Sequence, residues 1–245
     1  MCEGERQMPV SPKSNIISSV LPPAIKFWLR SQVEQIEELD LRITGQDGQI
    51  IKGYIPSVAL SSHKAVYRGL HLRKLNLQGD NIRINIGQVL KGKPLQLLEP
   101  IPITGEIRFV EEDINTSLSS PLLSNACTDL LILLLKFQGI KDAKSLLSTY
   151  QIAWQKVTMG DNLFTLKGFS VDRQGNTSPL KISAGLKLDP PNTLWFFPKT
   201  IQLMPEFSHV TFQAFQIDLG SDVALDKINL TEGLLICYGQ VMIRN

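Results

Sequence analysis

The acidic run Glu111-Glu112-Asp113 is the densest group of side chains in the sequence that could hold a metal ion or exchange protons. Carboxylates act as general acids and bases when they are held within hydrogen-bond reach of a substrate. These three residues, however, precede a segment with helical spacing, and carboxylates at a helix start are stabilised by the positive end of the helix dipole. We therefore interpret the run as the beginning of a helix and predict no catalytic residue there.

The three histidines, His63, His71 and His209, are scattered through the sequence and do not have the spacing of metal ligands. His71 lies in an alternating segment, which favours a position on the solvent face of a strand. The sequence also lacks the GxSxG, P-loop, HExxH and GxGxxG patterns. We predict no metal, no cofactor and no enzymatic activity.

The cysteines Cys2, Cys127 and Cys237 are odd in number and widely separated. This pattern indicates a reducing compartment and not a disulfide framework or a CxxC zinc site. The N-terminus has no apolar core of signal-peptide length, and no apolar run approaches the roughly 20 residues that span a bilayer. We expect a cytoplasmic protein that is soluble or peripheral on a membrane.

The charge is nearly balanced, with 25 basic against 23 acidic side chains and a formal net charge of +2. Such a balance gives no overall field that would attract nucleic acid. Lys91, Lys93 and residues 68–74 form the most basic neighbourhood, which can bind phosphate but is more simply a solvated sheet face. Few aromatic residues are interspersed with these charges, so the sequence does not predict a nucleic-acid partner.

The chain is organised around residues 119–137, which predict a long central helix. Ser119 or Ser120 can cap the first turn, and Pro121 suits the first helical position. The second half of this helix, Leu130 to Leu135, is apolar on every side, so other elements must cover it. The side chains predicted to contact lipid are Leu123, Cys127, Leu130, Leu131 and Leu134.

Segments with strand periodicity lie on both sides of this helix. Residues 39–43 alternate in polarity, and residues 70–86 alternate around a predicted turn at Gly79-Asp80-Asn81. Further strand candidates follow the helix between residues 154 and 243. An order of strands, helix and strands predicts an α+β fold, in which a curved antiparallel β-sheet is wrapped on the central helix.

The N-terminal region divides at residue 15. Residues 1–14 are rich in proline, serine and charge and predict a disordered lead, whereas residues 15–245 predict a single α+β domain. An N-terminal amphipathic helix should begin near Pro22 or Pro23, and its apolar stripe can simply pack on the body of the protein. Alternatively, Lys26, Phe27, Trp28 and Arg30 can dock the helix on an anionic membrane.

Several long stretches carry a resemblance to a known family. They are IISSVLPPAIKFWLRSQVE, AVYRGLHLRKLNLQGDNIRINIGQVLKGKPLQLLEP, DINTSLSSPLL and FQIDLGSDVALDKINLTEGLLICYGQVMIR. Together they resemble the cyanobacterial branch of the LmeA-like phospholipid-binding family, from residue 15 almost to the end. The resemblance implies that the partner is phospholipid or another acyl lipid, and it supplies no ligand residues that can be assigned position by position. A sheet wrapped on a long helix is also the architecture of tubular lipid-binding proteins.

Three functions follow from these patterns. The first is non-enzymatic binding of phospholipid in an apolar groove at an internal membrane surface, for transfer or sensing. The second is a structural or scaffolding protein whose apolar interior is fully packed and whose basic face binds another protein. The third and least favoured is an enzyme acting on lipid. A ligand pocket of about 300–1,000 Å³ would distinguish the first from the second.

Overall fold

The computed structural model describes residues 20–208 and 210–244, and it contains two antiparallel sheets with helices packed on them. With 51% strand and 23% helix, it confirms the predicted α+β class. The predicted N-terminal lead and His209 lie outside the described residues. The helices are α1 (Leu21–Gln32), α2 (Asp47–Ile50), α3 (Ile86–Val89), α4 (Glu111–Ser117), α5 (Pro121–Phe137) and α6 (Ala143–Leu147).

The first sheet has six strands in the order β1-β2-β3-β4-β11-β10. Its strands are β1 (Gln35–Thr44), β2 (Tyr54–Tyr67), β3 (Leu70–Arg83), β4 (Ile101–Val110), β10 (Val223–Thr231) and β11 (Leu234–Ile243). The pairing of β4 with β11 brings the C-terminal hairpin back to the N-terminal strands. The predicted turn at residues 79–81 is wrong, because β3 continues through them and Gly79 pairs with Val58 on one side and Ile103 on the other.

The second sheet has five strands in sequential order. They are β5 (Gln151–Gly160), β6 (Leu163–Val171), β7 (Thr177–Asp189), β8 (Thr193–Gln202) and β9 (Phe215–Asp218). The turn of the β10–β11 hairpin joins this sheet to the first one. The Asn162 N–H donates to the Leu230 carbonyl at 2.9 Å, and the Gly233 N–H donates to the Met159 carbonyl at 3.0 Å.

Helix α5 forms where the capping signals predict it. The Ser120 hydroxyl accepts a hydrogen bond from the Leu123 N–H at 3.3 Å, and Pro121 occupies the first turn. Helix α4 meets α5 at an angle of 92°. Within the described part of the chain, no single helix has both the length and the apolar character to cross a bilayer; only the bent α4–α5 pair passes that test.

The second sheet is covered by α5. Leu131, Leu134 and Leu135 of the helix have no exposed surface. They pack with one face of β5 to β9, and we call this group the α5 cluster. Its buried members include Cys127, Trp154, Val157, Leu166, Ile182, Ala184, Phe196, Phe215 and Leu230.

A separate apolar core closes one end of the first sheet. Leu21 and Ile25 of α1 are buried there, beside residues from α2, from α3 and from the connection between β3 and β4. We call this group the α1 cluster; its buried members are Leu21, Ile25, Ile50, Ile55, Ile82, Ile84, Ile86, Val89, Leu95, Leu97 and Ile101. The predicted N-terminal helix is therefore present and packs its apolar stripe on the sheet.

Substituting Leu131→Ala should lower the free energy of unfolding by about 2–5 kcal/mol, because it leaves a cavity beneath a fully buried helix. Leu122→Ala, at an exposed position of the same helix, should change it by no more than about 0.5 kcal/mol. Urea denaturation followed by circular dichroism measures both. Equal effects of the two substitutions would contradict the described packing of α5.

Candidate functional site

One face of the first sheet carries three successive rows of mainly apolar cross-strand neighbours. In an antiparallel ladder, directly paired residues place their side chains on the same face. Following the pairing across the sheet gives a continuous surface that we call the apolar face. Its rows are Ile43, Val58, Gly79, Ile103, Val241, Val223; then Leu41, Leu60, Leu77, Gly105, Gly239, Leu225; then Ser62, Leu75, Ile107, Cys237, Ile228.

The polar member of these rows is already satisfied by the backbone. Ser62 has no exposed surface, and its hydroxyl donates to the Glu37 carbonyl at 2.7 Å. A buried hydroxyl with a partner adds no unpaired polar group to the surface. Ser62 therefore does not interrupt the apolar face with an unpaired polar group.

The middle of the apolar face is only partly covered. Leu60, Leu77 and Ile107 are half-buried, and Val241 is exposed. The equivalent centre of the second sheet is closed, since Ile182 and Phe196 lie beneath α5 with almost no exposure. Contiguous apolar surface that stays accessible in a folded protein marks a site for a ligand, a membrane or a partner. The apolar face is thus the candidate functional site.

Two helices close the ends of this surface. At one end, Ile43, Val58 and Ile103 pack against the α1 cluster. At the other end, α4 lies across β3, and the Arg73 guanidinium donates to both carboxylate oxygens of Asp113 at 2.8 Å. This pairing raises the pKa of Arg73 and anchors α4 through a bidentate ion pair.

The acidic run at 111–113 has a structural role in this arrangement. Helix α4 begins at Glu111, as predicted. The Glu111 carboxylate accepts the Met159 N–H at 2.8 Å, Glu112 lies 3.5 Å from Arg73, and Asp113 holds the same guanidinium. Across residues 20–208 and 210–244 there is no group of three His, Cys, Asp or Glu side chains arranged to hold a metal ion.

A pair of glycines lies at the centre of the middle row. Gly105 of β4 is paired with Gly239 of β11. A Cβ atom on Gly239 would lie 2.3 Å from the Ala224 carbonyl oxygen, and one on Gly105 would lie 2.0 Å from the Asn76 carbonyl oxygen. Glycine at these positions lets the neighbouring backbones approach closely. It also leaves the centre of the row without side chains, between Leu77 and Leu225.

The predicted lipid contacts of α5 lie in the α5 cluster. Leu131 and Leu134 have no exposed surface, Cys127 is buried, and Leu123 and Leu130 are half-buried. Burial raises the pKa of the Cys127 thiol to about 11. Whether these side chains contact lipid stays a prediction.

The predicted docking residues lie on α1, at the closed end of the apolar face. Lys26, Phe27 and Arg30 are exposed, whereas Trp28 is half-buried against the α1 cluster. Helix α1 contains no acidic residue. Docking through these side chains also stays a prediction.

Sequence reasoning missed the apolar face as a site. The alternation in β1 and β3 was visible, but the pairing of β3 with β4, and of β4 with β11, joins segments far apart in sequence. Cys237 lies within this face, and burial raises the pKa of its thiol to about 11. Cys237 in an alternating apolar segment is the signal that could have predicted an apolar face on β11.

Two open pockets lie on the surface. One of about 520 Å³ is lined by residues that include Phe137, Trp195 and Phe215. The other, of about 440 Å³, lies at the first sheet, and its lining includes polar residues such as Asn76 and Gln78 together with Leu60, Leu77 and Gly105 of the middle row. Both have the size of a ligand site. Residues 130–135 of α5 line neither of them.

The comparison with known families gives one finding. A family model described as LmeA-like phospholipid-binding matches residues 13–240, which is nearly the whole chain. No curated protein and no solved structure matches the chain.

Substituting Gly239→Ala should destabilise the protein by about 1–3 kcal/mol, because the new methyl group meets the backbone of β10. Gly160→Ala is the matched control. Its Cβ would lie no closer than 3.7 Å to a neighbouring atom, so we expect little change. Urea midpoints measure both, and a neutral Gly239→Ala would show that β10 and β11 are not this close.

The polar side of the same sheet predicts a pH dependence. A hydrogen bond from Arg108 and a second from Tyr238 lower the pKa of Glu106 from its ordinary value of 4.5. This carboxylate therefore contributes stability above pH 4.5 and loses it as the pH falls through its lowered pKa. In Glu106→Gln, the free energy of unfolding should vary less with pH below 4.5 than in the wild type. Glu99→Gln, at an exposed carboxylate, should keep the wild-type slope, and identical slopes in all three proteins would refute the assignment.

Proposed function

Because the chain belongs to the LmeA-like phospholipid-binding family, we propose that it binds phospholipid without catalysing a reaction and holds the acyl chains on the apolar face of the first sheet. The observation that carries the proposal is the half-exposed middle of this face, whereas the apolar centre of the second sheet is covered by α5. An acyl chain bound to this face would bury the apolar surface that the polypeptide leaves exposed. The lipid would thus cover the first sheet as α5 covers the second.

The dimensions of the face suit an acyl chain. Six strands at about 4.8 Å spacing make each of the first two rows about 24 Å wide. One leaflet of hydrocarbon is about 15 Å thick, half of a 30 Å bilayer core. A row can therefore contact a whole acyl chain, and each buried methylene contributes about 0.8 kcal/mol.

In this proposal α1 is the docking element, with Lys26, Phe27, Trp28 and Arg30 at the headgroup boundary of a membrane. Phe27 is largely exposed and does not pack in the α1 cluster. Cations beside an aromatic side chain suit an anionic interface. The protein would then be peripheral on the membrane from which it takes or senses lipid.

The α5 residues form a second proposed contact. Leu123 and Leu130 can meet an acyl chain directly, with Cys127, Leu131 and Leu134 as the wall behind them. The α5 cluster adjoins the apolar face where Leu235 pairs with Phe109, so the two surfaces can act together as a wrapped, tubular arrangement. Deeper entry requires α5 to separate from the second sheet, because Leu131 and Leu134 have no exposed surface.

The alternative is a scaffolding protein whose apolar interior is only a core. The close packing of the α5 cluster, whose central leucines are fully buried, favours this alternative. In that case the apolar face would be covered by another protein and would retain no phospholipid on purification.

Two of the three natural cysteines, Cys127 and Cys237, distinguish these proposals. In a Cys2→Ser background, bound phospholipid should slow maleimide labelling of Cys237 at least threefold. It should slow labelling of Cys127 less, because Cys237 lies on the apolar face whereas Cys127 lies behind Leu123 and Leu130 in the α5 cluster. Labelled peptides are quantified by mass spectrometry with and without phosphatidylglycerol micelles. Protection of Cys127 alone would move the site into the α5 cluster, and protection of neither thiol would contradict lipid binding.

A charge on the apolar face should also expel the lipid. Leu77→Asp should reduce phospholipid per protein at least tenfold in native mass spectrometry, since a carboxylate would face the acyl chain. Leu122→Asp, at an exposed position outside the face, is the matched control. Circular dichroism verifies that both variants fold, and full lipid content in folded Leu77→Asp would refute the assigned surface.

A further inference from the structure

Several of the most exposed large apolar side chains lie around one end of the first sheet. They are Phe27 at 70% exposure, Leu98 at 61%, Ile51 at 46% and Leu90 at 44%. Phe27 belongs to α1, Ile51 follows α2, and Leu90 and Leu98 belong to residues 84–100, which we call the β3–β4 connection. All three segments contribute buried residues to the α1 cluster.

Buried residues of the α1 cluster fix the positions of exposed side chains next to them in the chain. Ile51 directly follows buried Ile50, Leu90 follows Val89, and Leu98 follows Leu97. Each of these three exposed side chains therefore has a neighbour buried in the α1 cluster. These apolar groups are presented to solvent by the packed core itself.

Hydrogen bonds hold the β3–β4 connection in one conformation. The Asn85 amide donates to the Pro94 carbonyl at 3.0 Å and accepts from the Gln96 N–H at 2.8 Å. The Leu98 N–H donates to the Arg83 carbonyl at 2.9 Å, and Ile84 forms a bridge with Leu97. An ordered loop that exposes leucines is typical of an interaction surface.

The charge of this end is positive. Residues 84–98 contain Lys91 and Lys93 and no acidic residue, and α1 contains Lys26 and Arg30 and no acidic residue. Lys52 adds a further cation beside Ile51. Asp47 of α2 and Glu99 are acidic, and Glu99 lies 3.5 Å from the Arg83 guanidinium, so cations outnumber carboxylates at this end. Apolar side chains interspersed with cations match the boundary between headgroups and acyl chains in an anionic bilayer.

We propose that α1 and the β3–β4 connection form one membrane-docking surface for anionic phospholipid bilayers, in which Phe27, Leu90 and Leu98 enter the headgroup region and Lys91 and Lys93 contact lipid phosphates. This inference deepens the proposed function and rests on it. It adds a second docking element to α1. Because Ile43, Val58 and Ile103 pack against the α1 cluster, docking places the end of the apolar face next to the bilayer.

Vesicle co-sedimentation tests the charge component. The wild-type protein should bind vesicles of 70% phosphatidylcholine and 30% phosphatidylglycerol and bind pure phosphatidylcholine weakly. Lys91→Glu/Lys93→Glu should weaken binding to the anionic vesicles at least about 30-fold, since each juxtamembrane cation contributes about fivefold. Lys187→Glu/Lys199→Glu, with the same charge change at exposed positions of the second sheet, should bind within about threefold of the wild type.

The apolar component is tested in the same way. Phe27→Ser and Leu90→Ser/Leu98→Ser should each reduce vesicle binding at least tenfold, and Leu122→Ser should not. All variants should unfold at the wild-type urea midpoint, because the changed side chains are exposed. Equal vesicle binding by these variants and the wild type, or equal binding to neutral and anionic vesicles, would overturn the proposal.

The test separates this surface from the acyl site. Native mass spectrometry of the docking variants, supplied with phosphatidylglycerol micelles, should show wild-type lipid content. Loss of vesicle binding with lipid content retained supports a docking surface. A wild-type protein that retains lipid but binds no vesicle overturns the docking surface alone and points to a protein partner there. Absence of both would overturn the proposed function as well.

Discussion

Incomplete burial of the apolar face is the constraint on which the account depends. A sheet with three mainly apolar rows on one face must cover that face, because exposed apolar area costs about 25 cal/mol per Å². The second sheet meets this demand with α5, whose inner leucines have no exposed surface. In the described part of the chain, the first sheet is covered at its ends, by the α1 cluster on one side and by α4 on the other. In the proposed function a phospholipid would supply the remaining contacts, and membership of the LmeA-like family makes phospholipid the expected ligand.

Several features keep this face open rather than collapsed. The Arg73–Asp113 ion pair holds α4 at one end, and α1 is held by its own cluster at the other. The join between the sheets, through the β10–β11 turn, directs α5 onto the second sheet. The glycine pair Gly105–Gly239 brings strands close together and leaves the centre of the face without side chains. Each feature is local, but together they keep the buried α5 cluster separate from the accessible apolar face.

Local signals made the helices predictable. Ser120 and Pro121 mark the start of α5, and the carboxylates at residues 111–113 mark the start of α4. Long-range pairing was not predictable, because alternation shows that a strand has two faces and not which partner covers each one. For this reason the sequence predicts lipid contacts on the apolar helix α5 and does not predict the face formed by β4 and β11. The short-range context of Gly79 predicts a turn, whereas its cross-strand pairing places it inside β3.

Methyl NMR of the protein with a spin-labelled phospholipid tests the central claim most directly. A nitroxide on the acyl chain broadens only the methyl signals that lie near the bound chain. The account predicts broadening of Leu60, Leu77 and Ile103 on the first sheet, while Leu131 and Leu134 beneath α5 stay sharp. Broadening confined to Leu131 and Leu134, or no selective broadening at saturating lipid, would contradict it.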